Sequence, residues 1–195
     1  MGIAQDLGRR FLSTISEWLL ALPHDLKVLY EAKDDPNLDR DAREIAAGAI
    51  LYILTPDTSS DEKFVGFADD AIILRVALRA IVAKGGEAAP AFRERFEEYF
   101  VNLDADLELC QNAMGDTYTW FAGKVDHLNR QVYKSKKVPI YIDDDESAEL
   151  LYEDGLAFQT DYPLDESKLQ MRLKRPETLL EPLRRKVAEE KKKIA

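Results

Sequence analysis

Apolar residues at helical spacing are the feature of this sequence that most constrains its fold. They recur every three or four positions over residues 7–22, 45–53 and 118–132, so each helix would carry one apolar stripe that has to be buried. Hydrophobic residues make up 46% of the 195-residue chain, which is enough to bury a sizeable core beneath such stripes. The pattern predicts a mostly α protein.

A proline and a glycine in the middle of the chain indicate how neighbouring helices are arranged. Pro90 suits the first turn of a helix, and a long apolar stripe follows it over residues 92–110. Gly115 separates that stripe from the next one over residues 118–132. Because two stripes joined by a short turn pack side by side, we predict an antiparallel helical bundle over residues 1–133.

Prolines and a capping pattern predict where the first helices begin and end. Pro23 is expected to open a second helical piece after the first stripe. Asp41 and Glu44 have the spacing of a capping box at the start of the next helix. Pro56 is expected to end that helix, because the residue before a proline avoids the helical backbone conformation. The following helix is expected over about 64–84, where a pair of glycines ends it.

Residues 134–195 depart from this pattern and predict a smaller appendage with mixed α/β or extended structure. Residues 137–143 are expected to be extended, and residues 168–173 alternate like a strand. Residues 147–158 fit either a β-hairpin that turns at an Asp-Gly pair or a two-turn helix capped by its first serine. Pro176 then opens a final amphipathic helix with a basic end.

Charge is distributed unevenly along the chain. The net charge of −10 argues against non-specific binding to nucleic acid, which needs a basic surface. Residues 143–167 hold ten acidic residues and no basic one, whereas residues 168–195 hold ten basic and four acidic residues. The final helix is expected to dock on the bundle, with recognition of a partner protein as the alternative. Contact with an anionic membrane is not favoured, because Glu189 and Glu190 dilute the basic face.

Cysteine use and hydropathy predict a soluble, cytoplasmic protein. The single cysteine, Cys110, allows no disulfide framework, and its place on an apolar stripe indicates a small buried side chain. No run of about 18 apolar residues predicts a membrane-spanning helix. Residues 1–25 lack the features of a signal peptide.

Residues 43–83 contain motifs that resemble those of a bacterial family. Tyr52 and Pro56 form a Tyr-x-x-x-Pro pattern, an aspartate-bearing loop follows, and residues 66–70 read Gly-x-x-Asp-Asp at the start of an apolar helix. In this order and spacing the segment resembles the YkvA-like family, a bacterial domain family of unknown function. The resemblance implies a helical hairpin and no established activity. This chain departs from the family at residues 57–63, where a polar "DTSSDEK" replaces an apolar segment that would invite membrane contact.

Four aspartates would converge if the two helices of this hairpin fold back on each other. They are Asp57, Asp61, Asp69 and Asp70, and hard cations such as Mg²⁺ or Ca²⁺ take oxygen ligands of this kind. A structural role is the favoured alternative, in which Asp57 or Ser59 caps the second helix and the adjacent pair bonds loop amides or an arginine. The arginines considered for that pairing are Arg43, Arg75 and Arg79.

The sequence contains no recognisable catalytic constellation. His24 and His127 are its two histidines, and no known motif places a serine or cysteine nucleophile against either one. We therefore expect a non-enzymatic protein-interaction or scaffold module without a cofactor, whose partner is another protein or a second copy. A divalent-metal-binding protein that uses Mg²⁺ or Ca²⁺ and a peripheral membrane protein are the two alternatives.

Overall fold

The computed structural model describes residues 3–56 and 63–194, and over these ranges the protein is mostly α-helical. The predicted fold class is confirmed: a helical bundle is followed by a small mixed α/β C-terminal part. The α-helices are α1 (Ile3–Asp34), α2 (Arg40–Leu54), α3 (Lys63–Lys84), α4 (Ala89–Arg95), α5 (Leu103–Met114), α6 (Asp116–Lys124), α7 (Ile140–Asp143), α8 (Asp145–Asp161), α9 (Glu166–Arg172) and α10 (Glu177–Ile194). The strands β1 (Val132–Tyr133) and β2 (Lys136–Lys137) pair antiparallel, and 3₁₀ helices span Gly86–Ala88, Glu97–Tyr99 and Val125–Arg130.

Helices α2 and α3 form a hairpin at the centre of the bundle. Of all pairs of described elements, these two helices contact each other most extensively, and α1 packs against both. A short connection joins α2 to α3, so two helices that pack along each other must run antiparallel. The helical hairpin expected over residues 43–83 is present, and its turn, residues 57–62, lies outside the described residues.

Small side chains allow other elements to approach α2 closely. Residues 45–51 are all buried, so this helix has no solvent-facing stripe in its middle. A Cβ atom on Gly48 would overlap the carbonyl oxygen of Leu128, in the 3₁₀ helix Val125–Arg130. This contact explains why a glycine occupies a helix interior, where it costs about 1 kcal/mol relative to alanine.

Pro23 does not open a separate helical piece as predicted, because α1 continues through it to Asp34. Proline has no N–H to bond the carbonyl four residues earlier, which here belongs to Leu19. That carbonyl accepts a hydrogen bond from the Tyr162 hydroxyl at 2.7 Å. A tyrosine from the C-terminal part therefore supplies the donor that the proline lacks.

The start of α2 also differs from the prediction. The helix begins at Arg40, one residue before the predicted cap Asp41. Arg40 Nε donates to Glu44 at 2.8 Å, so this carboxylate pairs with a side chain and does not close a capping box. The end of the helix at Leu54 agrees with the expectation drawn from Pro56.

The long apolar stripe over residues 92–110 belongs to two helices, α4 and α5, and not to one. The backbone leaves the helical conformation at Phe96, where φ is −120° and ψ is 37°. Beside this break the rings of Phe92 and Phe96 lie 4.9 Å apart, and Phe100 packs edge-on against Phe92. The next stripe is shorter than predicted, because Val132 lies in β1 and is 51% exposed.

The C-terminal part contains more helix than the sequence predicted. Residues 140–143 form α7 and residues 168–172 lie in α9, so the extended structure expected there is wrong. Residues 147–158 lie within α8, which excludes the hairpin alternative. Two aspartates explain this outcome, because the Asp144 and Asp165 side chains each accept a backbone amide hydrogen bond at 2.9 Å and cap α8 and α9.

Helix α8 continues through Gly155 because of its packing against α1. The Tyr30 hydroxyl donates to the Leu151 carbonyl at 2.7 Å, and a Cβ atom at position 155 would overlap that hydroxyl. The glycine is therefore a contact point between two helices and not the helix end that the sequence suggested. The same contact holds the C-terminal part against the bundle.

One hydrophobic cluster runs through the described helices. It includes Leu151 of α8, Leu169 of α9, and Leu179 and Leu183 of α10 together with the core of the bundle. The C-terminal helices thus share apolar contacts with α1 to α6. None of the helices in the described ranges is long and apolar enough to span a membrane.

Candidate functional site

Two residues of the Tyr-x-x-x-Pro and Gly-x-x-Asp-Asp patterns meet on one side of the α2–α3 hairpin. Tyr52 lies in the last turn of α2, and Asp69 lies in the second turn of α3. The Tyr52 hydroxyl donates to Oδ2 of Asp69 at 2.7 Å. The Asp69 side chain is only 1% exposed, so the antiparallel pairing of the two helices places a carboxylate in the interior.

A lysine from the C-terminal helix reaches this carboxylate. Lys186 of α10 is 7% exposed, and its Nζ forms an ion pair with Oδ2 of Asp69. Removing two charges from water costs several kcal/mol per ion, and their attraction offsets this cost only with good geometry and further hydrogen bonds. Oδ1 of Asp69 is buried and has no hydrogen-bond partner among the described residues. Oδ1 is therefore the atom of this carboxylate that the described residues leave unsatisfied.

Three more side chains extend the contact into a network that joins α2, α3, α6 and α10. Lys124 of α6 donates to the Tyr52 hydroxyl at 2.9 Å and pairs with Glu190 of α10 at 2.8 Å. Trp120 Nε1 donates to the same Glu190 carboxylate at 2.8 Å. We call Tyr52, Asp69, Trp120, Lys124, Lys186 and Glu190 the clamp network.

Electrostatics keep the tyrosine of the clamp network in its donor form. Burial raises the pKa of Tyr52 far above its ordinary value, and the neighbouring Asp69 charge raises it further. The hydroxyl therefore stays protonated at physiological pH. It donates to Asp69 and accepts from Lys124, so it links the two charged pairs.

Apolar contacts hold the rest of α10 against the bundle. Its buried residues are Leu179, Leu180, Leu183, Lys186 and Val187. They form a stripe on one side of the helix, and α10 packs through it against α3 and α6. The basic terminal helix is thus docked on the bundle in this structure, which is the arrangement that the charge pattern favoured.

The structure places the four predicted metal ligands differently. Asp57 and Asp61 lie outside the described residues. Asp69 faces the ammonium group of Lys186, and the adjacent Asp70 is half-buried. Within residues 3–56 and 63–194 no group of three His, Cys, Asp or Glu side chains is arranged to hold a metal ion. The cation site thus stays a prediction.

The three arginines considered for pairing with Asp69 or Asp70 each have another described contact, and that of Arg79 is the Tyr118 hydroxyl at 3.5 Å. Arg75 forms a buried ion pair with Asp25 of α1 and lies 5.5 Å from the ring centroid of Trp18. Arg43 donates to the carbonyl of Lys33 at 2.9 Å. The described cation beside Asp69 is therefore a lysine that lies 117 residues further along the chain.

The sequence does contain a signal for that lysine. Lys186 occupies the buried face of α10 between Leu183 and Val187, where helical spacing calls for an apolar residue. A lysine at such a position needs a buried partner or must reach solvent with its head group. The sequence analysis counts Lys186 only among the ten basic residues of 168–195 and does not predict its role in the clamp network.

The remaining candidate residues have structural surroundings. Cys110 is fully buried, and burial raises the pKa of its thiol, which suits a small core side chain. His24 lies within 2.8 Å of Gln159 at the surface. His127 is exposed and lines the groove described next.

A groove with a volume of about 770 Å³ opens between α6 and α10, beside the clamp network. Trp120 and Gly123 lie on its α6 side, and Ile194 lies on its α10 side with 75% of its surface exposed. The Lys191 ammonium lies 5.3 Å from the centre of the Trp120 ring. Its full lining is Asp116, Thr119, Trp120, Gly123, Lys124, His127, Glu190, Lys191, Lys193 and Ile194. The groove combines apolar surface with three lysines and two acidic side chains.

No protein-family profile, curated protein or solved structure matches this chain. The likeness of residues 43–83 to the YkvA-like family therefore rests on the spacing of the motif residues. The geometry adds that two of these residues, Tyr52 and Asp69, are in direct contact.

Proposed function

We propose that this protein is a cytoplasmic, YkvA-like, non-enzymatic interaction module that binds a partner protein in the groove between α6 and α10. The observation that carries the proposal is the position of the groove, whose two walls are joined by the clamp network. Trp120 and Lys124 of one wall both bond Glu190 of the other. Partner binding there needs no rearrangement of the hairpin beneath.

The groove has the chemistry of a protein-binding surface. Half-buried tryptophan and exposed isoleucine offer apolar contact, and tryptophan is among the residues most enriched in binding hot spots. Lys191 and Lys193 surround this surface with positive charge, although the chain as a whole carries −10. Apolar anchors with acidic neighbours are therefore the features expected of the partner.

Gly123 makes the proposal testable with little risk to the fold. A Cβ atom at this position meets no atom within 4 Å, and Gly123 lines the groove, so a side chain added here begins in open space beside the proposed binding surface. We expect Gly123→Leu to block binding while leaving the melting temperature unchanged or raised, because leucine favours a helix more than glycine does. Ala105→Leu, at an exposed position of α5, is the matched control.

The measurement is photo-crosslinking in cells followed by reconstitution with the purified protein that is captured. A photoreactive amino acid at position 123 should capture a defined protein, and the same amino acid at position 105 should not. Purified Gly123→Leu should then bind this protein at least about tenfold more weakly than Ala105→Leu. Equal capture at both positions, or equal affinity of both variants, would contradict the proposal.

A divalent-cation site is the second candidate, and one observation favours it. Oδ1 of Asp69 is buried without a hydrogen-bond partner among the described residues, and an oxygen of this kind is a ligand for Mg²⁺ or Ca²⁺. Binding at Asp57, Asp61, Asp69 and Asp70 should raise the melting temperature of the wild type in millimolar metal and leave Asp69→Asn unaffected. Identical melts of the wild type with and without metal would remove this candidate.

A further inference from the structure

We propose that the occupant of the groove is a second copy of this chain, which docks the outer face of its helix α8. The inference rests on the proposed function, because it names the partner of the same groove. It joins two surfaces of one molecule, the acidic outer face of α8 and the basic groove between α6 and α10.

The outer face of α8 presents apolar side chains to solvent. Tyr152 is 53% exposed and Leu156 is 47% exposed, and a separation of four residues places them next to each other on the helix. They lie at the edge of this face that borders α1, where the Tyr152 ring packs edge-on against Tyr30. Glu149 and Glu153 lie on the same exposed face. A helix that lays such a face into a groove is a common mode of peptide recognition.

The charges of the two surfaces are opposite. Helix α8 lies within residues 143–167, which hold ten acidic residues and no basic one. The charged residues that line the groove are Lys124, Lys191 and Lys193 together with Asp116 and Glu190. Because Lys124 pairs with Glu190, it is Lys191 and Lys193 that give the α10 wall its positive charge. Complementary charge guides association and selects among partners, while the apolar anchors supply most of the affinity.

The chain does not satisfy this pairing within itself. Helix α8 packs with its inner face on α1 and α2, whereas α10 packs on α3 and α6. The outer face of α8 is exposed in the same structure in which the groove is open. Since the two surfaces differ, the contact between copies is head-to-tail, and such contacts close into rings or grow into filaments.

Paired charge reversal is the experiment that tests this contact. One variant carries Glu149→Lys with Glu153→Lys, and the other carries Lys191→Glu with Lys193→Glu; all four positions are exposed. Each variant has like charges on both surfaces, so each should self-associate at least about tenfold more weakly than the wild type. An equimolar mixture should regain assembly, because each acidic surface then meets a basic surface of the other variant.

The readout is sedimentation velocity and light scattering at low and high salt. The wild type should form species of at least twice the 22.2 kDa chain mass, each variant alone should remain monomeric, and the mixture should recover the larger species. High salt should weaken the assembly because it screens the charged contacts. A monomeric wild type at high protein concentration would overturn the self-docking proposal, as would variants that assemble as well as the wild type.

Two further outcomes separate this proposal from the proposed function. If the wild type is monomeric while a crosslinker at position 123 captures a different protein, self-docking is wrong and the groove is still a protein-binding site. If the wild type is monomeric and floats with vesicles of anionic lipid through its basic helix, a membrane is the occupant and both proposals are wrong.

Discussion

The α2–α3 hairpin and the docked helix α10 are held in the same molecule by different forces. Residues 45–51 of α2 are all buried, and Gly48 lets the backbone of Leu128 approach the helix. Helix α10 buries a narrow apolar stripe that is interrupted by Lys186. Lys186 and Glu190 of this helix bind the bundle through the clamp network. A closely packed core is destabilised by small changes in side-chain volume. The stability of a buried ion pair depends on the charge of both partners and on whether water reaches them.

The two kinds of contact indicate which part of the molecule can change its position. Unpacking the hairpin would expose the centre of the core, so α2 and α3 should open only when the whole protein unfolds. Undocking α10 would expose a few leucines, which is unfavourable. It would also hydrate the Asp69–Lys186 pair, and the hydration free energy of these charges offsets part of that loss. The C-terminal helix is therefore the element whose position a partner can change most easily.

The largest loss of stability is expected from a substitution at Gly48, in the buried middle of α2. Gly48→Ala places a methyl group against the carbonyl of Leu128, which is backbone and cannot rotate away. We expect the free energy of unfolding to fall by about 3 kcal/mol or more. Denaturation in urea measures it, and Gly123→Ala is the matched control, because that position has open space and should gain up to about 1 kcal/mol.

The second prediction removes the buried charge beneath α10. Asp69→Asn removes the negative charge of the buried ion pair between Asp69 and Lys186, and we expect the free energy of unfolding to fall by about 2 kcal/mol. The loss is smaller than that of a fully enclosed pair because α10 can undock and hydrate the lysine. Hydrogen exchange should therefore rise in α10 well before it rises in α2 and α3.

Two controls define this second prediction. Asp104→Asn, which removes an exposed acid in the first turn of α5, should cost no more than about 0.5 kcal/mol through the helix dipole and should leave hydrogen exchange in α10 unchanged. Adding Lys186→Met to Asp69→Asn should restore part of the stability, because an apolar pair of similar shape often replaces a buried ion pair without loss. Unchanged exchange in α10 after Asp69→Asn would show that the ion pair does not hold this helix.

The same contrast explains how much of the structure could be predicted from the sequence. The hairpin could be predicted, because apolar spacing and helix-ending prolines act over a few residues, and α2 ends at Leu54 as Pro56 requires. The clamp network could not be predicted as a unit, because Asp69 and Lys186 lie 117 residues apart. A lysine on an apolar stripe signals that a buried partner exists and does not identify it.

Predictions of helix ends from proline and glycine were wrong at two positions where a side chain distant in sequence contacts the helix. Pro23 would normally interrupt a helix, and α1 continues because the Tyr162 hydroxyl bonds the carbonyl of Leu19. Gly155 would normally end a helix, and α8 continues because Tyr30 packs against that position. In both cases the contact joins a residue of the bundle to a residue of the C-terminal part, Leu19 to Tyr162 and Tyr30 to Gly155. Residues so far apart in the chain are not connected by any spacing rule.

The third prediction concerns the hydrogen bond that replaces the one lost at Pro23. Tyr162→Phe removes the donor to the carbonyl of Leu19, and we expect a loss of about 1 kcal/mol. In a Pro23→Ala background the backbone N–H of residue 23 can bond the same carbonyl, so the same tyrosine substitution should cost less. A double-mutant cycle in urea measures the coupling, and equal losses in both backgrounds would contradict this account.

The smallest expected effect is a pair of opposite responses to pH in the two regions. Burial raises the pKa of Asp25 in the bundle, with Arg75 acting in the other direction, whereas the hydroxyl and amide of Ser147 lower the pKa of Asp144 at the start of α8. The stabilisation from Asp25 is fully present below its ordinary pKa of 3.8 and is lost as pH rises through the raised value. The stabilisation from Asp144 is present above its ordinary pKa of 3.8 and is lost as the pH falls through its lowered pKa.

Thermal melts between neutral pH and about pH 3 test these signs with Asp25→Asn and Asp144→Asn. On acidification the melting temperature of the wild type should rise relative to Asp25→Asn and fall relative to Asp144→Asn. The first change comes from a carboxylate that is easier to bury when protonated, and the second comes from a cap that binds amides best when ionised. If both differences in melting temperature changed in the same direction, the opposite pKa shifts assigned to Asp25 and Asp144 would be wrong. The contrast between the bundle and the C-terminal part would then not extend to these two carboxylates.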